Sequence, residues 1–155
     1  MYQDFKDLLS AFNAHGVKYV IVGGYAVSLH AQPRATKDID LFIKADLSNA
    51  KAAYAALASF GAPVESIRAE DLADRSSFIR FGREPVAVDL HAEIPGIDFD
   101  SAWERRVEAI IDPESGLKAL FISRDDLIAS KLASGRARDL ADAEEIRDAE
   151  GSQRG

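Results

Sequence analysis

Apolar side chains at Phe5, Leu8, Leu9 and Phe12 recur at helical spacing over residues 3–15, and Gly16 follows as a stop. The pattern predicts an amphipathic helix that covers a sheet. Residues 17–22 are a continuous apolar run of strand length, which predicts a strand buried on both faces. Gly23-Gly24 closes that run, a short helical stretch is expected over 25–30, and a second strand carries Asp38-Ile39-Asp40. Asp46 or Ser48 can then cap an alanine-rich helix to about Phe60, ended by Gly61-Ala-Pro63.

Farther on, residues 64–75 are charged, with one helical turn expected near Glu70 to Asp74. Residues 77–81 and 85–94 read as two strands joined by Gly82-Arg-Glu, a hairpin signal. A short helix around Trp103 is expected over 98–106, and strands over 107–111 and 117–122 flank a turn-rich segment. Ser123-Arg-Asp-Asp126 is a capping-box sequence opening a helix to about Ser134. Gly135 ends it, a charged helix follows to about Ala149, and residues 151–155 are expected to be a disordered tail. Helices interleaved with strands define an α/β or α+β chain, expected to form a single domain over residues 1–150.

Chemistry concentrates between Val20 and Ile43. Side chains alternate along a strand, so Asp38 and Asp40 share one face while Ile39 and Leu41 share the other. Two adjacent carboxylates in a partly dry site repel and raise one another's pKa, unless a cation compensates them. Mg²⁺ suits the task, because it takes one or two protein carboxylates and leaves other positions to water and phosphate. The glycine pair lets backbone approach a phosphate, and the N-terminus of the next helix offers N–H groups to an anion. A further carboxylate, Asp89, interrupts the valine-rich run Val86-Ala-Val88-Asp89-Leu90, where it needs a cation or donors beside it. Plainer roles exist for each: a solvated strand end for the Asp pair, an arginine partner for Asp89, a tight turn for the glycines, an exposed turn for Arg34 and a solvated helix position for Lys131. Glu93 is an alternative ligand on the face of Asp89. His30 and His91 are expected to be structural rather than catalytic, and His91, which shares a face with Asp89, has the alternative of supporting a ligand from behind.

Composition narrows the setting. The 155 residues contain no cysteine and three histidines, which rules out disulfides and thiolate metal sites and disfavours a histidine-built one. No apolar run approaches the roughly 18 residues of a membrane helix, so no membrane association is expected and the default compartment is the cytoplasm. A formal net charge of −7 argues against a broad nucleic-acid surface and shifts the expectation towards a small or protein acceptor.

Strand, Gly23-Gly24, helix, then Arg34-x-Thr36-x-Asp38-x-Asp40 on a second strand resembles the signature of DNA polymerase beta superfamily nucleotidyltransferases, and within it the small bacterial group related to abortive-infection nucleotidyltransferase toxins. Asp126-x₄-Lys131, followed by Arg138-Asp139 and Asp142, matches a second element of that group. The resemblance implies a small mixed β-sheet flanked by helices, with the helices on one side. It implies transfer of an NMP from an NTP to an acceptor hydroxyl with release of pyrophosphate. Asp38, Asp40 and Asp89 would be the catalytic ligands of two Mg²⁺ ions, with Mn²⁺ an alternative, and Gly23, Gly24, Arg34, Thr36 and Lys131 would bind the nucleotide. Many relatives have Gly-Ser where this chain has Gly23-Gly24, which shifts any such phosphate contact to a backbone N–H, Ser28 or Thr36. The implied acceptor is an RNA end or a partner protein, as in toxin–antitoxin pairs. Alternatives are a small antibiotic of the lincosamide or aminoglycoside type, although Lys37 departs from the longer acidic string of those enzymes, or a non-catalytic nucleotide- or partner-binding regulator. A homodimer or an antitoxin or toxin partner is a further expectation.

Overall fold

Strand β1 (Tyr19–Val22) is buried along its whole length because it has a neighbour on each edge and helices against each face. The computed structural model describes residues 1–83 and 86–154, the side chains of 150–154 excepted. Glu84 and Pro85, which the sequence assigns to the hairpin loop and the start of the next strand, lie outside the described residues, as does Gly155. β1 pairs antiparallel with β2 (Ile39–Ile43) and parallel with β6 (Leu117–Phe121). β2 in turn runs parallel to β4 (Val88–His91). Antiparallel partners form the two edges, β3 (Phe78–Phe81) on β4 and β5 (Val107–Asp112) on β6. The result is a six-stranded mixed sheet in the order β3-β4-β2-β1-β6-β5.

The expected elements form close to their predicted places. Helix α1 (Gln3–Ala14) buries Phe5, Leu8, Leu9 and Phe12, the four residues of the apolar stripe. Helix α2 is Gly23–His30, so it starts at the first glycine rather than at Tyr25. Asp46 caps α3 (Leu47–Phe60) by accepting from Asn49 N at 2.7 Å, and Gly61 ends it in the left-handed region. Its Ala50, Ala53 and Ala56 are buried, which lets α3 lie close to its neighbours. A 3-10 turn covers Ala69–Ala73, and helices α4 (Phe99–Glu104), α5 (Arg124–Ser134) and α6 (Ala137–Arg154) follow.

Three features differ from expectation. Helices cover both faces of the sheet rather than one. Phe12 of α1 packs edge-on against Tyr19, whereas Phe99 of α4 packs against Phe42. Tyr19 stands opposite Ile43 and Phe42 opposite Val20, so those two ring pairs lie on opposite faces. β4 is four residues long and ends at His91; Ile94 forms only an isolated bridge with Ile97. α6 continues through Arg154 instead of ending near Ala149.

Buried polar groups fasten the helices to the strands. Asn49 accepts from Lys18 N at 2.8 Å and donates to the carbonyls of Lys18 and Lys44, both at 3.0 Å, tying α3 to the ends of β1 and β2. His30 donates from Nε2 to the Ile122 carbonyl at 2.8 Å, which joins α2 to the β6–α5 junction. Burial holds the His30 pKa below its ordinary value of 6.5; the bond to Ile122 opposes that and the charge of Arg124 adds to it.

Replacing Asn49 with alanine leaves three backbone groups short of partners and is expected to cost about 2–3 kcal/mol, read from urea unfolding. A base with a depressed folded pKa takes up its proton more readily when unfolded. The stability contributed by neutral His30 is therefore complete above about pH 6.5 and declines as pH falls through its lower folded value. Urea midpoints across that window should show the decline in the wild type and less of it in His30→Gln.

Candidate active site

The register of three strands brings the expected carboxylates together. Asp40 on β2 faces Val22 on β1 and Asp89 on β4, and Asp38 lies immediately before β2 on the same side. Parallel pairing of β2 with β4 is what sets Asp40 directly beside Asp89. Asp89 is only 7% exposed. Burial pushes its pKa above the ordinary carboxylate value; the bond from Arg80 opposes the shift, and the charges of Asp40 and Asp38 reinforce it.

Arg80, on edge strand β3, supplies the compensating charge. It stands opposite Asp89 in the hairpin, donating from Nε to Asp89 Oδ1 at 2.8 Å, and its Nη2 reaches Asp38. Nη2 also lies 3.4 Å from Asp89 Oδ2. His91, which shares a strand face with Asp89, donates from Nε2 to Asp40 Oδ1 at 2.9 Å and orients that carboxylate. Exposed Phe78 packs against the His91 ring at 5.3 Å. Glu93 lies beyond the end of β4, is mostly exposed and faces Arg75 at 3.9 Å, so it does not join the carboxylates.

The glycine pair is shaped by the same group. Gly23 has φ of +68°, and a Cβ there would fall 2.9 Å from Asp40 Cγ. A Cβ on Gly24 would meet Thr36 Cγ2 at 2.8 Å. Only glycines let the start of α2 lie against Asp40 and Thr36. Among the described residues no side chain caps α2, so its first N–H groups are available to an anion. Thr36 Oγ1 donates to the Arg34 carbonyl at 3.2 Å, and Ser28 Oγ accepts from Arg34 N at 3.3 Å, which fastens the loop before β2.

Lys131 and Arg34 meet in a second charged cluster, on α6. Lys131 Nζ lies 3.3 Å from Asp139 Oδ1 and 3.1 Å from Asp142 Oδ2. Arg34 Nη2 lies 3.1 Å from Asp142 Oδ1 and 2.7 Å from Glu145 Oε2. Burial raises the pKa of Asp139, but bonds from Ser134, Lys131 and Arg136 outweigh it and hold the carboxyl below its ordinary value. A cavity of about 400 Å³ is lined both by Gly23, Gly24 and Asp40 and by Arg34, Lys131 and Asp142. Asp38, Asp89 and Thr36 are not part of its lining. Asp126, the acidic partner of Lys131 in the motif, turns away from the cavity; Arg105 binds it from Nε and Nη2, at 3.0 Å and 2.8 Å. That pairing also leaves the capping box with one arm, Asp126 N donating to Ser123 Oγ.

The carboxylates have the chemistry of a divalent-cation site. All three are hard oxygen donors, and Asp38 Oδ1 is buried without a hydrogen-bond partner among the described residues, a charged oxygen that a cation would cover. Among the described residues no three His, Asp or Glu side chains already form a cage, since Arg80 holds Asp38 and Asp89 while His91 holds Asp40. Mg²⁺ at these residues would need the oxygens that the Arg80 guanidinium covers.

A mixed sheet with helices on both faces, a glycine-opened helix and carboxylates on neighbouring strands define a nucleotidyltransferase fold. Residues 3–147 match the family described as "Nucleotidyltransferase of unknown function (DUF6036)", and the chain belongs to it. No curated protein matches the chain. Among the described residues no helix is long and apolar enough to cross a membrane.

Gly23→Ala is expected to destabilise the protein by about 1–3 kcal/mol through its left-handed backbone. It should also displace Asp40, and the His91 imidazole NMR signals should report the change. Gly61→Ala, strained likewise but with open space around it, should leave those signals in place.

Proposed function

We propose that this chain is a divalent-metal-dependent nucleotidyltransferase of the polymerase beta superfamily, allied to the abortive-infection group, which moves an NMP from an NTP to an acceptor hydroxyl. The observation that carries this reading is the pairing of Asp40 with Asp89, beside Asp38, at the glycine-opened end of α2. Asp38, Asp40 and Asp89 are the residues that would hold Mg²⁺, which when bound supplies a Lewis acid for the phosphoryl oxygens.

The remaining roles fall to side chains and backbone of this chain. The first N–H groups of α2 would receive phosphate oxygens, because the helix dipole and the uncapped donors both favour an anion there. Lys131 and Arg34 reach the same cavity and would neutralise the triphosphate. Each must exchange an α6 carboxylate for a phosphate, so Asp142, which holds both, positions them between turnovers. His91 fixes one oxygen of Asp40 and so orients the other. Asp89, deepest of the three, is the group placed to take the acceptor proton. The acidic chain favours an acceptor that does not need a wide basic surface, either a partner protein or a small molecule, or an RNA end held only at the site.

The test is release of pyrophosphate and transfer of label from each NTP with Mg²⁺, using cell extract as acceptor. Transfer is expected to fall by at least about a hundredfold in the Asp38→Ala/Asp40→Ala double variant. The labelled species then identifies the acceptor as RNA, protein or small molecule. Mg²⁺-dependent nucleotide binding without transfer would point instead to a nucleotide-binding regulator, and absence of binding would overturn the metal-site reading.

A further inference from the structure

Arg80 occupies an unusual place for a surface arginine. Its strand is the edge of the sheet, its Cα stands opposite Asp89, and its guanidinium spans two of the three carboxylates proposed to hold metal. The side chain is 46% exposed, so it can turn outward without disturbing the core. Asp89, by contrast, is held in the sheet between Val88 and Leu90, both buried.

A guanidinium and a divalent cation satisfy carboxylates differently. The guanidinium is a flat fork carrying one charge, and it bonds acceptors along its edges. Here it covers one oxygen of Asp38 and leaves Asp38 Oδ1 buried without a partner among the described residues. A divalent cation carries twice the charge at a point and can draw oxygens from several carboxylates to one centre. Both cannot use the same oxygens of Asp38 and Asp89 at once.

We propose that Arg80 is a built-in counter-ion that competes with the divalent cation for Asp38 and Asp89, so that metal loading and outward release of Arg80 are one coupled event. This rests on the metal-site reading above. Arg80 keeps the buried carboxylates tolerable within the fold, at the expense of metal affinity, because apparent affinity falls in proportion to the fraction of molecules whose site is open. Release places the guanidinium at the β3 edge, beside exposed Phe78. The metal thereby reshapes the rim of the site as well as its centre.

The test is Mn²⁺ binding to the full chain, followed by the electron paramagnetic resonance signal of free Mn²⁺, for the wild type, Arg80→Ala and Arg80→Gln. Removing a charged hydrogen-bonding competitor should tighten binding by about ten- to a hundredfold. In chelator both variants should melt below the wild type, and Mn²⁺ should raise their melting temperatures by more than it raises that of the wild type. Arg80→Gln keeps a neutral hydrogen-bonding group of similar reach, so it reports on charge even where Arg80→Ala folds poorly. Binding in the variants equal to or weaker than the wild type would overturn the role of Arg80 while leaving the metal site standing. Absence of Mn²⁺ binding in the wild type and both variants would overturn the metal site and the competition together.

Discussion

Like charge in a partly dry place is the constraint around which this protein is arranged. Asp38, Asp40 and Asp89 come together at the start of the parallel pair β2 and β4, and burial disfavours the charged form of Asp89. Neighbouring elements answer that cost in separate ways. The β3 edge contributes Arg80, β4 contributes His91, and the start of α2 is stripped of side chains so that it can lie against Asp40. Gly23 thus has two reasons to be glycine, a positive φ and the nearness of a carboxylate, and both follow from the same close approach.

A second balance of charge lines the same cavity as Asp40. Lys131 and Arg34 converge on Asp142, with Asp139 and Glu145 completing the cluster, and Arg34 joins it from the loop before β2. Asp142 is buried and shared by two cations, so removing it would leave Lys131 with Asp139 alone and Arg34 with Glu145 alone. The two clusters resemble one another in principle. In each, charges in a partly dry place are held by internal partners of opposite sign, which offsets the cost of taking them out of water.

Much of this was legible along the chain because it depends on local pattern. The stripe Phe5, Leu8, Leu9 and Phe12, the Asp46 cap and the Gly61 stop each rest on a few consecutive residues, and α1 and α3 form as that pattern dictates. The three carboxylates were legible too, as acidic residues in strands that otherwise require apolar ones. Arg80 was not. A loop of Gly82-Arg-Glu would set Ser77 opposite Asp89, whereas the hairpin pairs Arg80 with Asp89. A register changed by an odd number of residues turns every side chain to the other face, so a small uncertainty in loop length hid the main partner of the site.

The sequence by itself determined which segments become helices and strands, where glycines and caps bound them, and that carboxylates would interrupt two apolar strands. Those outcomes rest on backbone preference and on the periods of helix and strand, which are local properties. Only the tertiary structure decided which charges meet. Arg105 takes Asp126 away from the cavity, α6 takes Lys131 and Arg34, and Arg80 takes Asp38 and Asp89. Long side chains find partners through strand order, register and helix packing, and contacts spanning 42 residues from Asp38 to Arg80 or 108 from Arg34 to Asp142 leave no periodic trace in the chain.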